Sequence, residues 1–80
     1  MFTNKTTDGR NNICGLRIAE ERKAKGLSQR ELADGLQLLG LDIDKNAIQR
    51  IECGKRFVTD IELKFFAGFF DLSYEEFLRQ

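Results

Sequence analysis

SQRELADGLQLLGLDIDKNAIQRIECGKR, residues 28–56, holds two amphipathic helical patterns joined by a short connector, and the fold follows from how each pattern starts and stops. Ser28 has the side-chain oxygen that an N-cap needs, and Glu31 three positions on completes a capping box. The next apolar residues, Leu32, Ala33, Leu36 and Leu39, are expected to draw a single buried stripe, and Gly40 closes it. Gly35 falls mid-helix, where it either permits close packing or is simply tolerated at about 1 kcal/mol relative to alanine; the reading favours tolerance. Leu41 and Ile43 turn inward around Asp42, and Asp44 caps the following helix. There Ala47, Ile48 and Ile51 supply the buried side, while Lys45, Asn46, Gln49 and Arg50 occupy much of the opposite surface. Gly54 ends that helix after Cys53, and Lys55 and Arg56 lead out of it.

Similar signals flank this core. Upstream, Asn12 can cap a helix running to Lys25 with Cys14, Ile18 and Arg22 in one row, and Gly26 terminates it. Downstream, Thr59 and Glu62 form a second capping box ahead of Leu63, Phe66, Ala67 and Phe70; Asp71 ends that helix. Ser73 then caps a short last helix with Tyr74, Phe77 and Leu78 as its apolar contacts. Residues 1–12 lack an apolar period and are expected to form a flexible arm, whose Lys5 or Arg10 could touch a polyanion; residues 13–80 form the domain. Five short helices with no strand-like run predict an all-α bundle.

Composition narrows the function. At 80 residues the chain allows one domain, too small to give up its core to a deep cleft. Histidine is absent and only Cys14 and Cys53 are present, so one chain cannot complete a four-ligand zinc site, and neither metal nor cofactor is expected. Both thiols are expected to be free and partly buried, with a disulfide as the rival reading. Without histidine the commonest general base is missing, and neighbours such as Glu20 and Glu21 do not face one another on a helix, so an enzyme is not expected. No stretch is apolar enough to span a bilayer and residues 1–12 are too polar for a signal peptide, so the expected address is cytoplasmic. Net charge is zero, but it is unevenly spread: residues 45–56 carry four positive side chains against one negative, and residues 60–80 carry two against five. Such polarity can turn one face toward phosphate.

Residues 14–77 resemble the phage-repressor, Cro-like helix-turn-helix family, also called the XRE family. The segments LRIAEERKAKGLSQRELA, NAIQRIECGKR and VTDIELKFFAGFFDLSYEEF carry the resemblance in this order and spacing. It implies a compact five-helix lambda-repressor-like bundle and a bacterial or phage-encoded regulator, more often a repressor, that binds double-stranded DNA at the nucleoid. By the same resemblance Ser28 and Gln29 approach the DNA backbone, Lys45, Asn46, Gln49 and Arg50 face base edges, and Gly54, Lys55 and Arg56 form a phosphate-gripping loop. Chemistry makes Arg50 and Asn46 the first candidates for readout, because arginine bonds bidentately to guanine and asparagine to adenine. Lys45 is divided between phosphate and guanine. The resemblance also implies an ion pair between Arg22 and Glu52. The alternative function is a protein-interaction module that keeps the fold without binding DNA.

Departures from the family pattern mark where geometry is harder to read. Seven residues separate Leu36 from Asp44, where the family's turn is much shorter, so the second helix and the connector are both expected to lengthen. Glu21 stands where leucine is usual, and Asp71 where glycine usually ends a helix. Seven phenylalanines are a heavy load for this length. Ile61, Phe65 and Phe69 are read either as a self-association patch for a homodimer on a palindromic operator, or as a wider core closed by the last helix.

Overall fold

The computed structural model describes residues 5–79 and contains five helices: α1 (Gly15–Ala24), α2 (Gln29–Leu38), α3 (Lys45–Glu52), α4 (Asp60–Phe70) and α5 (Tyr74–Leu78). No strand occurs among the described residues, as the sequence predicts. The caps act as expected. Ser28 accepts from Glu31 N–H and Thr59 from Glu62 N–H, each with the reciprocal carboxylate bond; Asp44 accepts from Ala47 N–H, and Ser73 from Glu76 N–H. Each such cap satisfies a donor that the first helical turn leaves unpaired and is worth about 1 kcal/mol. Asp71 ends α4 at φ 55°, a left-handed geometry that aspartate tolerates better than most side chains.

The start of α1 differs in detail. Cys14 occupies the cap position without a side-chain bond, and Asn12 reaches over it to accept from Gly15 N–H at 2.8 Å. Asn12 thus still satisfies an orphan donor, from two residues before the cap position.

Ile18, Leu32, Leu36, Ile48, Ile51, Phe66 and Phe77 are fully buried at the centre, one or two from each helix. Each contributes roughly 1.5–3 kcal/mol by leaving water, an upper estimate for an extended unfolded chain. α3 packs on both α1 and α2, α4 leans on α2, and α5 closes the bottom against α1 and α4. Phe70 meets Phe77 at 6.3 Å and the edge of Phe69 at 5.1 Å, so α5 is fastened by aromatic contact.

Gly35 has a packing reason, the alternative that the sequence leaves second to tolerance. A Cβ there would lie 2.5 Å from Cε1 of Phe69, so the missing side chain lets the Phe69 ring settle on α2. Tolerance is therefore the wrong account of Gly35.

α2 ends at Leu38, and residues 39–44 form the long connector; Leu32, Ala33 and Leu36 are buried as expected, but Leu39, at the C-cap, is exposed and leaves the predicted stripe. Gly40 adopts φ 108°, which side chains rarely accept, and Leu41 N–H returns to Leu36 C=O at 3.0 Å. Gln37 then spans the connector, donating its amide to Ile43 C=O at 2.7 Å. Leu41 and Ile43 are buried and Asp42 is exposed, the predicted alternation.

Both cysteines are free, Cys14 buried and Cys53 exposed. Burial pushes the Cys14 thiol up to about 11, so it stays protonated and unreactive. No helix among the described residues is long and apolar enough to cross a membrane, and no group of three or more potential ligands among them could hold a metal ion.

Candidate nucleic-acid interface

α3 is two turns long and strongly two-sided. Ile48 and Ile51 are fully buried, and Lys45, Asn46, Gln49 and Arg50 are all exposed on the other side. Of these four, Gln49 has an internal bond, its amide donating to Cys53 Sγ at 3.2 Å. The structure therefore brings the predicted reading residues onto one open surface.

A buried ion pair fixes α3 against α1. Arg22 donates from Nε to Glu52 Oε2 at 2.7 Å and from Nη2 to Oε1 at 3.0 Å, a bidentate fork with side chains only 12% and 8% exposed. Arg22 Nη1 also donates to Leu27 C=O at 2.8 Å, and Gln29 Nε2 to Glu52 Oε1 at 3.0 Å. Glu52 holds the Arg22 guanidinium above its ordinary value, chiefly through these hydrogen bonds. One carboxylate thus ties the first turn of α2 and the last turn of α1 to the end of α3.

The remaining predicted contacts divide. Ser28 is exposed at the start of α2, but Glu31 already accepts its backbone N–H at 2.8 Å, so an anion arriving there meets a carboxylate. Gln29 is half-buried with one amide hydrogen committed to Glu52. Lys55 is exposed in the loop after α3. Arg56 instead turns back to α4, its Nη1 and Nη2 donating to the two Glu62 carboxylate oxygens at 2.9 and 2.8 Å. Lys55 and Arg56 are adjacent in sequence but separate in role.

Residues 10–12, expected in the arm, are bound to the far end of α3. Arg10 Nη2 donates to Glu52 C=O at 2.8 Å and Ile51 C=O at 3.3 Å, placing a cation on the carbonyl end of the helix dipole. Asn12 Nδ2 donates to Ile51 and Arg56 C=O at 2.9 and 2.8 Å, and Asn11 Nδ2 to Lys55 C=O at 2.9 Å. Asn11 N–H closes the set on Gly54 C=O at 2.7 Å. These bonds satisfy carbonyls at the end of α3 and the loop beyond it, and so set where both stand. The only sequence signal was a polar triplet directly before the first helix. Residues 1–4 of the expected arm lie outside the described residues.

Two other polar positions find their physical reasons. Glu21, where the family carries leucine, pairs with Arg17 one turn earlier at 3.2 Å on a half-exposed edge of α1. Glu62 is 8% exposed yet forked by Arg56 and bonded to Thr59 N–H at 3.0 Å.

That last arrangement predicts an acid limb. The Arg56 fork, aided by Thr59 and opposed by burial, holds the Glu62 carboxyl below its ordinary value of 4.5. A depressed folded value gives stability that is complete above 4.5 and lost as pH falls through the folded value. Glu31, lowered mainly by the Ser28 backbone N–H, acts in the same direction. Urea midpoints should therefore hold steady near neutrality and fall below pH 4.5, with a shallower fall in Glu62→Gln. An identical acid slope in both proteins would show that the fork contributes nothing.

A helix-turn-helix family model, HTH_3, matches residues 18–77, and the chain belongs to this family, also called the XRE family. The family is one of DNA-binding transcription regulators. No curated protein and no solved structure matches the chain.

Proposed function

We propose that the chain is a sequence-specific binder of double-stranded DNA that represses transcription by seating α3 in the major groove. The observation that carries this reading is the two-sidedness of α3: fully buried isoleucines behind, and four exposed amide, guanidinium and ammonium side chains in front. A polar helix face alone is usually just solvated; on the second helix of a helix-turn-helix it has a partner of matching shape. Asn46 and Arg50 read adenine and guanine, Gln49 adjoins them, and Lys45 serves phosphate or guanine. Lys55 meets phosphate, with Ser28, Gln29 and Arg56 as lesser contacts because each is committed within the chain. The protein works as a homodimer on a palindromic site, in a bacterial or phage setting, with no cofactor.

Net zero charge favours a second reading, a protein-interaction module that keeps the fold. Salt separates the two, since phosphate binding weakens steeply as ionic strength rises. Arg50→Ala is expected to cost about 1–3 kcal/mol on the preferred duplex and to relax preference at one base pair, whereas Lys55→Ala weakens all duplexes alike and lowers the salt slope by about one. Equilibrium titration of preferred and random duplexes at several salt concentrations measures both. Equal binding of both duplexes by parent and Arg50→Ala would remove Arg50 from the reading set, and salt-independent retention would favour the interaction module.

A further inference from the structure

The backbone of Lys55 is held by a residue 44 places earlier in the chain. Asn11 N–H donates to Gly54 C=O at 2.7 Å, and Asn11 Nδ2 donates to Lys55 C=O at 2.9 Å. Those carbonyls belong to the two peptide units that flank the Lys55 Cα. The first unit is pinned at its other end as well, Lys55 N–H donating to Arg50 C=O at 2.9 Å. Planar peptide units leave only φ and ψ free at each residue, so holding both units fixes both angles of Lys55.

Asn11 can act as a hold because its neighbours are themselves fastened. Residues 6–10 close a turn, Thr6 N–H donating to Arg10 C=O at 2.8 Å and Arg10 N–H to Thr6 Oγ1 at 2.9 Å. The Arg10 side chain then fills space that two glycines leave. A Cβ at Gly54 would meet Arg10 Cζ at 2.8 Å and Cγ at 2.9 Å, and one at Gly15 would meet Nη2 at 2.8 Å. On the other side, Asn12 is buried against the Ile51 and Arg56 carbonyls. The Asn11 amide bond itself lies at the surface, outside the core that stabilises the fold.

We propose that Asn11 is a positioning residue for the phosphate contact of Lys55, acting without touching DNA by presetting the backbone from which that ammonium projects. The assignment rests on the DNA-binding reading above and extends it to a residue outside the helix-turn-helix. Lysine is a point charge on a flexible four-carbon stem, so what the protein can fix in advance is where the stem begins. A loop already in its bound geometry need not be ordered on contact, and that saving appears as affinity. Because phosphates carry no base information, the gain is the same on every sequence. Arg10, read from sequence as a polyanion contact, has its guanidinium committed to the Ile51 and Glu52 carbonyls, so this stretch reaches DNA through Lys55 rather than through that charge.

A double-mutant cycle of Asn11→Ala and Lys55→Ala tests this, read by titration of preferred and random duplexes and by backbone amide relaxation of the free proteins. Asn11→Ala is expected to melt close to the parent and to weaken every duplex about threefold to tenfold, the range for leaving one group to be ordered on binding, with base preference unchanged. In the Lys55→Ala background the same substitution should alter affinity by less than about twofold, since the charge it positions is gone. In the free protein the order parameter at the Lys55 amide should be about 0.85 in the parent and fall below about 0.6 in Asn11→Ala. An equal loss with and without Lys55 would mean that Asn11 meets phosphate itself or acts through overall stability, and overturns the assignment; so does a variant that binds as the parent does. A Lys55 amide already mobile in the parent overturns it as well, however the variant folds. Failure of the DNA-binding reading would appear separately, as no duplex binding by any of the four proteins, with relaxation still deciding whether Asn11 holds the loop.

Discussion

Glu52→Ala is expected to destabilise the fold by about 3–5 kcal/mol, the range for removing one partner of a buried ion pair. Arg22 would remain, 12% exposed at its side chain and permanently charged, with only Leu27 C=O as an acceptor. Gln29 would lose its acceptor as well, so α1, α2 and α3 would all come loose at one point. Against a total stability of about 5–15 kcal/mol, such a loss approaches unfolding. Exposed ion pairs offer the contrast, being worth about 0–1 kcal/mol. Breaking the Arg79 to Glu75 contact, with side chains 70% and 83% exposed, should therefore change nothing measurable. Thermal and urea melts of Glu52→Ala check the prediction. Replacing Arg22 and Glu52 together by apolar residues should recover much of the loss, since an uncompensated charge then no longer remains. An unchanged melt for the single variant would mean that the fork is loosely held and does not position α3.

Gly15→Ala should also be severely damaging, although alanine is ordinarily the better helix residue. A Cβ at Gly15 would fall into the carbonyl oxygen of Ile51 and within 2.8 Å of Asn12 Oδ1 and Arg10 Nη2. Flexible side chains could move aside, but the Ile51 carbonyl belongs to α3 and already accepts from Asn12 and Arg10. Relief requires α1 and α3 to separate. Overpacking of this kind costs about 1–3 kcal/mol and occasionally more, and backbone crowding puts this case at the upper end. The change would also displace the end of α3, so DNA affinity should fall together with the melting midpoint. Gly68→Ala provides the control, because open space there predicts equal or greater stability. Should Gly15→Ala melt with the parent, the close crossing of α1 and α3 would be refuted.

Local signals explain why so much of this fold could be read in advance. Ser28 with Glu31, Thr59 with Glu62, and Asp44 ahead of Ala47 fix helix starts through bonds spanning only three residues, so their chemistry is visible in any short window. The buried row of Ile48 and Ile51 follows from helical periodicity in the same way, and so does the exposure of Lys45, Asn46, Gln49 and Arg50. Long-range partners were not legible from spacing. Arg10 reaches across 41 and 42 residues to the Ile51 and Glu52 carbonyls, and nothing near Arg10 in the chain marks it as their donor. Arg56 looked like a free basic residue because it follows Lys55; only the fold shows Glu62 six residues later taking both arms of its guanidinium. Gly35 was misread for a related reason, since its neighbour, Phe69, lies on another helix. The Arg22 to Glu52 pair shows the exception: family resemblance supplied a contact that local chemistry could not, and the structure contains it.

Affinity selection from a random duplex pool, run in parallel with the parent and with Arg50→Ala, bears most directly on the role given to α3. The account predicts that the parent enriches a palindromic motif and that the variant enriches the same motif with one base pair in each half relaxed. No enrichment by the parent, or an unaltered motif from the variant, would contradict it.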